Sequence, residues 1–497
     1  MNSIQVKLTL FNDDNKIKAK LNEEGLNGLC EQTHGIFEIF LTLAAEAANL
    51  DVSNGQLENN ISWLAMKLRG LGRDVIEKKM SMLDEEIFNS PERKKDWEVH
   101  RKDDRSLKTE FGTTTFKRRY YKNKSTNTFA YLADECAGIE KGSRIEKGLM
   151  VKIAENVKDL SYQKASQTAC CPEELPVSKN TVKREIRKIE PLELPLPEPG
   201  KVKTFINVLH INADEDHIAM QSSKSSIVKS VTIHERRLRL HKNKTMLKGR
   251  KIYATHKEAP EDFWYRVLDN IIEVYGDRDD LTIYIHGDGA GWIQTGVKII
   301  KNSVFILDKF HLKQAIARVL PNKDKFPYMN FLSECKIWQY FRHGGYSGLK
   351  VFLDTLAAEG YINENAVSDV YKYLRNNKIG ITNNIIIKNT DITKSCTEAQ
   401  ISHVLSSRLS SRPMGWSPDG VEAVVNIRTH LLNGGRISSD NFKKKQSSLE
   451  VHNEKIYSLR KKLASEQYLY NFEITQLLPK SRDNAWLRNI AKSGYLG

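Results

Sequence analysis

The stretch PLELPLPEPG, residues 191–200, limits most strongly how this chain can fold. It holds four prolines in nine residues: Pro191, Pro195, Pro197 and Pro199. Because proline lacks a backbone N–H and fixes φ, this density excludes both a helix and a central strand. We therefore expect a stiff, extended linker that separates two differently built parts of the chain.

The sequence before this linker predicts helices and one β-hairpin. Two segments within the first 90 residues, GIFEIFLTLAAEAANL and DVIEKKMSMLDEEIFNS, carry apolar residues at helical spacing. Near Thr109 the pattern changes to alternation in LKTEFGTTTFKRRYYKN, which predicts a hairpin that turns near Gly112. Its basic end, residues 117–121, fits a strand along a DNA backbone and a merely solvated strand equally well.

Three short helices are predicted between Ser143 and Glu190, and Ser161 and Ser178 are natural N-caps of the second and third. A helix-turn-helix places its third element in the major groove of DNA. Here the third element carries polar and cationic side chains suited to that role: Lys179, Asn180, Thr181, Lys183, Arg184 and Arg187. A plain three-helix bundle is the alternative, since the connection CCPEELPV is longer than a tight turn.

The charge of the chain indicates a polyanionic partner. Lysine and arginine number 77 against 62 acidic residues, which gives a net charge of +15, and such an excess suggests nucleic acid. Residues 222–257 hold eleven Lys and Arg against one acid, Glu235. Like charges at this density repel one another unless phosphates neutralise them, although a solvated hairpin could carry some of them.

Cysteine usage and hydropathy indicate the compartment. The six cysteines show no C-x-x-C pairing, which fits a reducing cytoplasm. The sequence has no apolar run of spanning length and no signal-peptide pattern at its start. We therefore expect neither export nor a membrane span.

After the linker, the predicted order is three strands, the second of which is IVKSVTIHERRLRL, then a helix, a strand, an intervening segment, a strand and a helix. The first strand leads into Asp214 and into Asp216, which is placed in the turn beyond it, and the fourth ends at Asp288 between Gly287 and Gly289. Gly-Asp-Gly is ordinary turn chemistry. Glycine also lets a ligand approach the backbone closely, so a ligand-facing carboxylate is the second interpretation.

A mixed sheet of this order, with one acid on its first strand and another just past its fourth, is what the RNase H-like fold looks like. Its first and fourth strands are neighbours, so Asp214 and Asp288 would lie side by side. Two carboxylates that close repel each other unless a cation lies between them, and a divalent metal is the usual one.

Glu398 offers a third carboxylate. Thr397 and Gln400 predict a capping box that places Glu398 in the first turn of a helix. Position 398 shares one helical face with three apolar residues, Ile401, Leu405 and Leu409. The alternative is a glutamate that only complements the helix dipole.

Four motifs in this order resemble the bacterial insertion-sequence transposases of the ISLre type and, more distantly, the Mutator-like DDE transposases: NADEDHIAMQ, GDGAGWI, LDKFHL and SHVLSSRLSSRPMGWS. The FGTTTFKRRYY hairpin and the segment LSYQKAS to VSKNTVKREI extend the resemblance over nearly the whole chain.

The resemblance implies a DDE site. Asp214 and Asp288 match the two catalytic aspartates and Glu398 matches the glutamate, with Asp216 and Glu422 as less favoured alternatives for the first and third acids. Two Mg²⁺ or Mn²⁺ ions would be bound, with Asp214 between them and the other two acids holding one each.

Further residues are implied to contact DNA, among them two arginines that would grip phosphates near the cut and a tryptophan that would stack on a base: His311, Arg408, Arg412 and Trp416. An ordinary helix-face histidine is the alternative for His311. A helix end closed by Pro413 and Gly415 is the alternative for the segment that carries the arginines.

The predicted fold is α/β and multidomain, with a helical N-terminal DNA-binding region that includes a helix-turn-helix, then an RNase H-like mixed-sheet catalytic domain interrupted by an all-α insertion. The predicted boundaries are 1–140 for the N-terminal region with its basic hairpin, 141–190 for the helix-turn-helix, 191–200 for the linker, 201–320 for the first part of the core, 321–395 for the insertion, 396–432 for the last part of the core, and 433–497 for a basic helical tail.

The implied function is a DDE transposase that binds the ends of its element and catalyses metal-dependent cleavage and strand transfer. Its partner would be double-stranded DNA, both as terminal inverted repeats and as target, bound by a homo-oligomer. It would act in the bacterial cytoplasm, on the nucleoid when bound to DNA, with no membrane and no small-molecule substrate. A metal-dependent nuclease or resolvase of the same fold and a non-catalytic DNA-binding regulator are the alternatives.

Overall fold

The computed structural model describes residues 8–13, 16–21, 31–50, 56–192, 202–222, 225–241, 244–319, 327–360, 362, 364–387, 392, 395–412 and 414–442. They form two compact units, one built on residues 1–186 with 437–442 and the other on residues 187–436. Most of the proline-rich stretch and the predicted tail from residue 443 onward lie outside the described residues.

The first unit combines a long helix, a small antiparallel sheet and a group of short helices. Its strands are β1 (Leu8–Asp13), β2 (Lys16–Leu21), β3 (Trp97–Thr109), β4 (Gly112–Asn123) and β5 (Phe129–Ala130). Its helices are α1 (Glu31–Ala48), α2 (Leu57–Asn89), α3 (Pro91–Asp96), α4 (Leu132–Cys136), α5 (Lys147–Val157), α6 (Tyr162–Ala169) and α7 (Lys179–Ile186), with a 3₁₀ turn at Ser439–Phe442. The β1–β2 hairpin departs from the prediction that the first 90 residues are helical.

The predicted hairpin near Gly112 is confirmed. β3 and β4 pair from Trp97 opposite Asn123 to Thr109 opposite Gly112. Gly112 has a φ of 114°, a backbone conformation that only glycine adopts without strain.

The basic end of this hairpin has a structural role that the sequence did not reveal. The Arg118 guanidinium contacts Asp134 and lies over the Tyr131 ring. Arg119 donates hydrogen bonds to Asp84. These two arginines therefore stabilise the first unit, and neither predicted interpretation of this strand holds for them.

The three short helices before the linker are confirmed as α5, α6 and α7. The Ser161 hydroxyl accepts from the Lys164 backbone N–H. The Ser178 hydroxyl accepts from the Thr181 backbone N–H over 3.2 Å. Both serines therefore satisfy helix-start donors as predicted.

The second unit is built around a mixed sheet. Its strands are β6 (Val208–Ala219), β7 (Ser225–His234), β8 (Arg236–His241), β9 (Lys244–Lys248), β10 (Lys251–Thr255), β11 (Thr282–Gly287) and β12 (Ser303–Leu307). Its helices are α8 (Pro260–Tyr275), α9 (Gly291–Ile299), α10 (Lys309–Ala317), α11 (Pro327–Ala358), α12 (Glu364–Asn376), α13 (Lys378–Ile386), α14 (Thr397–Ile401), α15 (Ser407–Leu409) and α16 (Pro418–Leu432), with a π turn at Ser402–Ser406.

Five of these strands form one sheet in the order β10-β7-β6-β11-β12. β6 pairs antiparallel with β7 and parallel with β11, and β12 continues the parallel side. The predicted neighbourhood of the first and fourth strands is confirmed. Asp216 pairs with Val228 inside β6, so its predicted place in a turn beyond the strand is wrong.

Side chains alternate between the two faces of β6. Leu209, Ile211 and Ala213 join the main apolar core, where they meet Phe263 and Trp264 of α8. The other face of the strand carries polar side chains: His210, Asn212, Asp214 and Asp216. The acids therefore lie on the face opposite the main apolar core.

Asparagine side chains close both edges of this sheet. Asn383 and Asn384 of α13 donate to the carbonyl oxygens of Phe305 and Leu307 on β12, over 2.8 and 2.7 Å. At the other edge, Asn433 accepts from the Ile252 N–H and donates to its carbonyl. The predicted insertion is helical in its described part, and its last helix covers an edge strand that would otherwise expose backbone groups.

The described helices include none that is both long enough and apolar enough to cross a membrane.

Two glycines of α9 give a matched stability test. A Cβ at Gly296 would lie 2.2 Å from the Trp264 ring, whereas a Cβ at Gly291 would meet nothing within 4 Å. We expect Gly296→Ala to lower the free energy of unfolding by about 1 to 3 kcal/mol through overpacking. Gly291→Ala should be neutral or stabilise by up to about 1 kcal/mol. Urea denaturation of both variants measures this, and equal effects would contradict the packing described.

Candidate metal centre

Asp214 comes from the central strand of the sheet. It lies on β6, opposite Ser230 of β7, and the residue is 6% exposed. Its Oδ1 atom accepts a hydrogen bond from the Glu215 backbone N–H over 2.8 Å. Its Oδ2 atom lies 3.9 Å from the Nε2 atom of His311.

His311 occupies the first turn of α10. Asp308 is the N-cap of this helix and accepts from the Phe310 N–H over 3.0 Å, which fixes the turn that carries the imidazole. The Nε2 atom of His311 is buried and has no hydrogen-bond partner among the described residues. The neighbouring Asp214 raises the pKa of His311, and the charges of Asp308 and Asp288 act in the same direction.

Glu398 lies in the first turn of α14, and the predicted capping box is wrong. The N-cap is Cys396, whose side chain makes no capping hydrogen bond. Asn212 of β6 accepts from the Cys396 N–H over 3.2 Å, and Ser395 accepts from the Thr397 N–H over 3.1 Å. Contacts with the sheet and the preceding residue therefore place this helix start.

The apolar face predicted for this segment is confirmed, because Ile401, Leu405 and Leu409 are buried. The π turn at Ser402–Ser406 interrupts it. A π turn adds one residue to the helix, which rotates everything after it by about 100°.

Asp214, His311 and Glu398 form one group. A ligand atom of each lies within 4.8 Å of the other two, and no further group of this kind occurs within the described ranges. Two carboxylates beside a buried nitrogen without a hydrogen bond are a donor set that could hold a divalent metal. Imidazole binds transition metals, whereas Mg²⁺ prefers oxygen, so this set favours Mn²⁺ over Mg²⁺.

Asp288 is not a member of this group; it directly follows β11, which pairs with the strand of Asp214. Its Oδ1 atom accepts from the Ala290 N–H over 2.8 Å, and Tyr373 donates to its carbonyl oxygen over 3.0 Å. Gly289 has a φ of 89°, and a Cβ there would collide with Asn377. This glycine therefore permits close approach of the protein's own helix.

The two alternative acids make structural contacts. Asp216 accepts from the hydroxyls of Ser406 and Ser410 over 3.1 and 2.9 Å, and burial raises its pKa. It therefore ties β6 to the π turn. Glu422 accepts from the backbone N–H groups of His256 and Lys257.

The prediction that Arg408, Arg412 and Trp416 contact DNA is corrected for two of these three residues. Arg408 is 4% exposed and stacks on Trp416, whose ring nitrogen donates to the Leu409 carbonyl over 2.9 Å. The backbone of Trp416 pairs with the end of β6. Both side chains are thus internal, while Arg412 is exposed beyond the end of the helix.

The predicted DNA-reading residues of α7 differ in exposure. Lys179, Asn180 and Arg184 are exposed, and Thr181 and Lys183 are half-buried. Arg187 follows the helix, belongs to the second unit and donates to the Ser417 hydroxyl.

Several residues at the site escaped the sequence analysis. Asp308 had a readable signal, an aspartate directly before a helix and three residues before His311. Asn212 and Tyr373 had none, because their contacts join segments that are distant in sequence.

A stacked layer of histidines also escaped the sequence analysis. The His210 ring lies 5.0 Å from that of His234 and 5.9 Å from that of His286, measured between centroids. Burial, and then the neighbouring His210, lowers the pKa of His234 and of His286 to about 3. These two rings are therefore neutral at neutral pH.

The fold and the site together define a class: a mixed α/β protein whose sheet carries an Asp, His and Glu group able to hold a metal. The model of the uncharacterised protein family UPF0236 matches residues 53–446. The chain belongs to this family.

Its relatives include several proteins of Caldanaerobacter subterraneus subsp. tengcongensis. UPF0236 protein TTE2489 is 35% identical over 436 residues, which cover 87% of this chain and 89% of that protein. A UPF0236 protein whose name joins TTE0610, TTE0881, TTE1053 and TTE2432 is 35% identical over 436 residues, covering 87% of this chain and 88% of that protein. Another, whose name joins eleven designations from TTE0033 to TTE2212, is 34% identical over 394 residues, covering 78% and 81%. Relatives of this chain are thus present in many copies in one genome.

Acid should destabilise the protein through the histidine layer. Unfolded His234 binds a proton near pH 6.5, whereas the folded residue has a pKa of about 3. Stability is therefore full above pH 6.5 and falls by about 1.4 kcal/mol per pH unit for this histidine as the pH drops toward 3. We expect His234→Gln to reduce this fall in the free energy of unfolding by about 1.4 kcal/mol per pH unit. The same change at the exposed His343 should leave the pH dependence unaltered. Denaturation between these pH values checks this, and equal slopes in all three proteins would contradict it.

Divalent metal should stabilise the folded protein. A ligand at a hundred times its dissociation constant adds about 2.7 kcal/mol to the free energy of unfolding. We expect Mn²⁺ to raise the thermal midpoint of the wild type and of exposed Glu359→Gln, but to have little effect on Asp214→Asn or Glu398→Gln. His311→Ala should narrow the preference for Mn²⁺ over Mg²⁺. An unchanged response in the Asp214 and Glu398 variants would show that the metal binds elsewhere.

Proposed function

We propose that this chain is the transposase of a bacterial insertion sequence, a DDE enzyme that cuts and joins DNA. The observation that carries the proposal is the meeting of Asp214 and Glu398 with His311 at the face of a mixed sheet. Asp288 lies two residues beyond His286, which pairs with Asn212 on the strand of Asp214. This register supports the proposal that Asp288 acts together with Asp214 and Glu398.

The strand order supports an RNase H-like catalytic sheet. Three antiparallel strands followed by two parallel ones, with the first strand beside the fourth, match that fold. Helices α11 to α13 lie between the fifth strand and the helix of Glu398, as a helical insertion of these transposases would. Copy number supports the mobile element, since a self-copying element accumulates in a genome as these relatives do.

The residues have distinct roles in this proposal. Asp214 and Glu398 would hold Mn²⁺ or Mg²⁺, with Asp288 completing a site for two ions. When bound, such ions would activate a water and would stabilise the attacking and leaving oxygens of an in-line displacement. The His311 Nε2 atom would hold a metal ion when the imidazole is neutral and would donate to a phosphate oxygen when it is protonated; the neighbouring Asp214 raises the pKa of this histidine.

The reaction needs no covalent enzyme intermediate. Water breaks the phosphodiester at the element's end and leaves a free 3′-hydroxyl. This hydroxyl then attacks a phosphodiester of target DNA, forming a new ester bond as the target strand's own 3′-oxygen leaves. Double-stranded DNA is thus both substrate and partner, and the exposed side chains of α7 are proposed to recognise the element's ends.

The test is strand transfer on DNA that carries the element's own ends, with Mn²⁺ or Mg²⁺. We expect Asp288→Asn and Asp214→Asn to lower joining by about a thousandfold or more, as loss of metal-held charge stabilisation implies. The exposed change Asp369→Asn should have no effect. Cleavage without joining by the wild type would favour a nuclease. End binding without chemistry in any protein would leave a DNA-binding regulator.

A further inference from the structure

Strands β8 and β9 form a two-stranded ribbon outside the five-stranded sheet. We call these two strands, with the two residues that follow β9, the basic ribbon; the strands pair with each other and with no other described strand. The sequence predicted one continuous strand through IVKSVTIHERRLRL, but the strand breaks at Glu235. The ribbon is therefore a separate element that leaves the sheet directly after β7.

The ribbon concentrates positive charge. The sixteen residues 236–251 include no acid and eight Lys and Arg: Arg236, Arg237, Arg239, Lys242, Lys244, Lys248, Arg250 and Lys251. Arg236, Lys248 and Arg250 are exposed. Such a run repels itself, and a polyanion relieves the repulsion.

The base of the ribbon is anchored. Glu235 is 6% exposed, and its carboxylate accepts from Lys203 over 2.6 Å and from the Tyr275 hydroxyl over 3.3 Å. The Glu235 N–H donates to the Lys248 carbonyl over 2.9 Å. Gly249 has a φ of 65°, and a Cβ there would lie 2.5 Å from the Glu235 carboxyl group. The ribbon therefore leaves the sheet in a fixed direction.

The ribbon begins on the side of the candidate metal centre. The Sγ atom of Cys396 lies 3.9 Å from the Nε2 atom of His234, which is two residues before the first residue of the ribbon. Cys396 is the N-cap of the helix that carries Glu398. DNA held at Glu398 would therefore be near the first residues of the ribbon.

The dimensions suit duplex DNA. Six residues of strand extend about 20 Å, the length of about six base pairs, and a two-stranded ribbon fits the major groove. Leu240 and Met246 are about half exposed among these cations, where they can contact thymine methyl groups or sugars.

We propose that the basic ribbon binds duplex DNA along its phosphates and holds it against the metal centre. The inference rests on the proposed function for the identity of the substrate. Its test needs no catalysis, so the two can fail separately.

The experiment measures the binding of a mixed-sequence duplex by fluorescence anisotropy, in EDTA, over a series of KCl concentrations. The triple variant Arg236→Gln, Lys248→Gln, Arg250→Gln is compared with an equally charged control, Lys298→Gln, Lys301→Gln, Lys372→Gln, whose three lysines are exposed elsewhere in the second unit. Each lost phosphate contact lowers the slope of log K against log salt by about 0.9. We expect the magnitude of this slope to fall by about 2 to 3 in the ribbon variant and to change little in the control variant.

Each outcome decides one question. If the slope falls equally in both triple variants, net charge alone explains the binding and the proposal that the ribbon binds DNA is overturned. An unchanged slope, or tighter binding of a single strand than of the duplex by the wild type, would overturn it as well. Unaltered thermal midpoints show that the variants are folded. If the slope falls but the wild type joins no DNA, the ribbon stands and the transposase proposal fails. If joining occurs and the slope is unchanged, the reverse holds.

Discussion

The parallel pairing of β6 with β11 is the contact on which the candidate site depends. Its register sets His286 opposite Asn212, so the chain continues into Asp288 on one strand and Asp214 on the other. Close backbone packing is required here, since a Cβ at Gly287 would lie 3.0 Å from the Ala213 carbonyl oxygen. Carboxylates brought together in this way repel each other, and the imidazole of His311 lies 3.9 Å from Asp214, where its positive charge, when protonated, would offset the carboxylate.

The rest of the second unit holds this sheet in place. Its apolar face packs on α8 and α9, while the asparagines of α13 and Asn433 satisfy the backbone groups of the two edge strands. The polar face carries the histidine layer and Asn212, which accepts from the N–H that begins α14. Because the same strand supplies Asp214 and, through Asn212, helps to position the start of the helix of Glu398, β6 links the placement of these two carboxylates.

Local signals in the sequence predicted much of this. Alternating apolar and polar residues predicted the β3–β4 hairpin and the strands of the sheet. Serines predicted the starts of α6 and α7, and apolar residues at helical spacing predicted the buried face that runs from Ile401 to Leu409. Predictions failed where a distant segment decides the outcome. Instead of the expected cap at Thr397, Asn212 accepts a hydrogen bond from Cys396 at the start of this helix. The predicted continuous strand is interrupted at Glu235, whose carboxylate accepts from Lys203 and Tyr275. Arg408 and Trp416 looked like ligands of DNA, yet they stack on each other inside the protein.

The second unit thus places opposite charges near one another, with carboxylates at the sheet face and cations on the ribbon. In our proposal, Asp214, Asp288 and Glu398 would repel a DNA phosphate until a cation compensates them, whereas the ribbon would attract it at any metal concentration. Affinity for DNA and the seating of one phosphate at the acids therefore depend on different residues. In our proposal, DNA bound by the ribbon without metal stays uncut, and metal completes the site on DNA that is already held. The acids can lie close together because the bound ion would compensate most of their charge, while the imidazole of His311 lies beside Asp214.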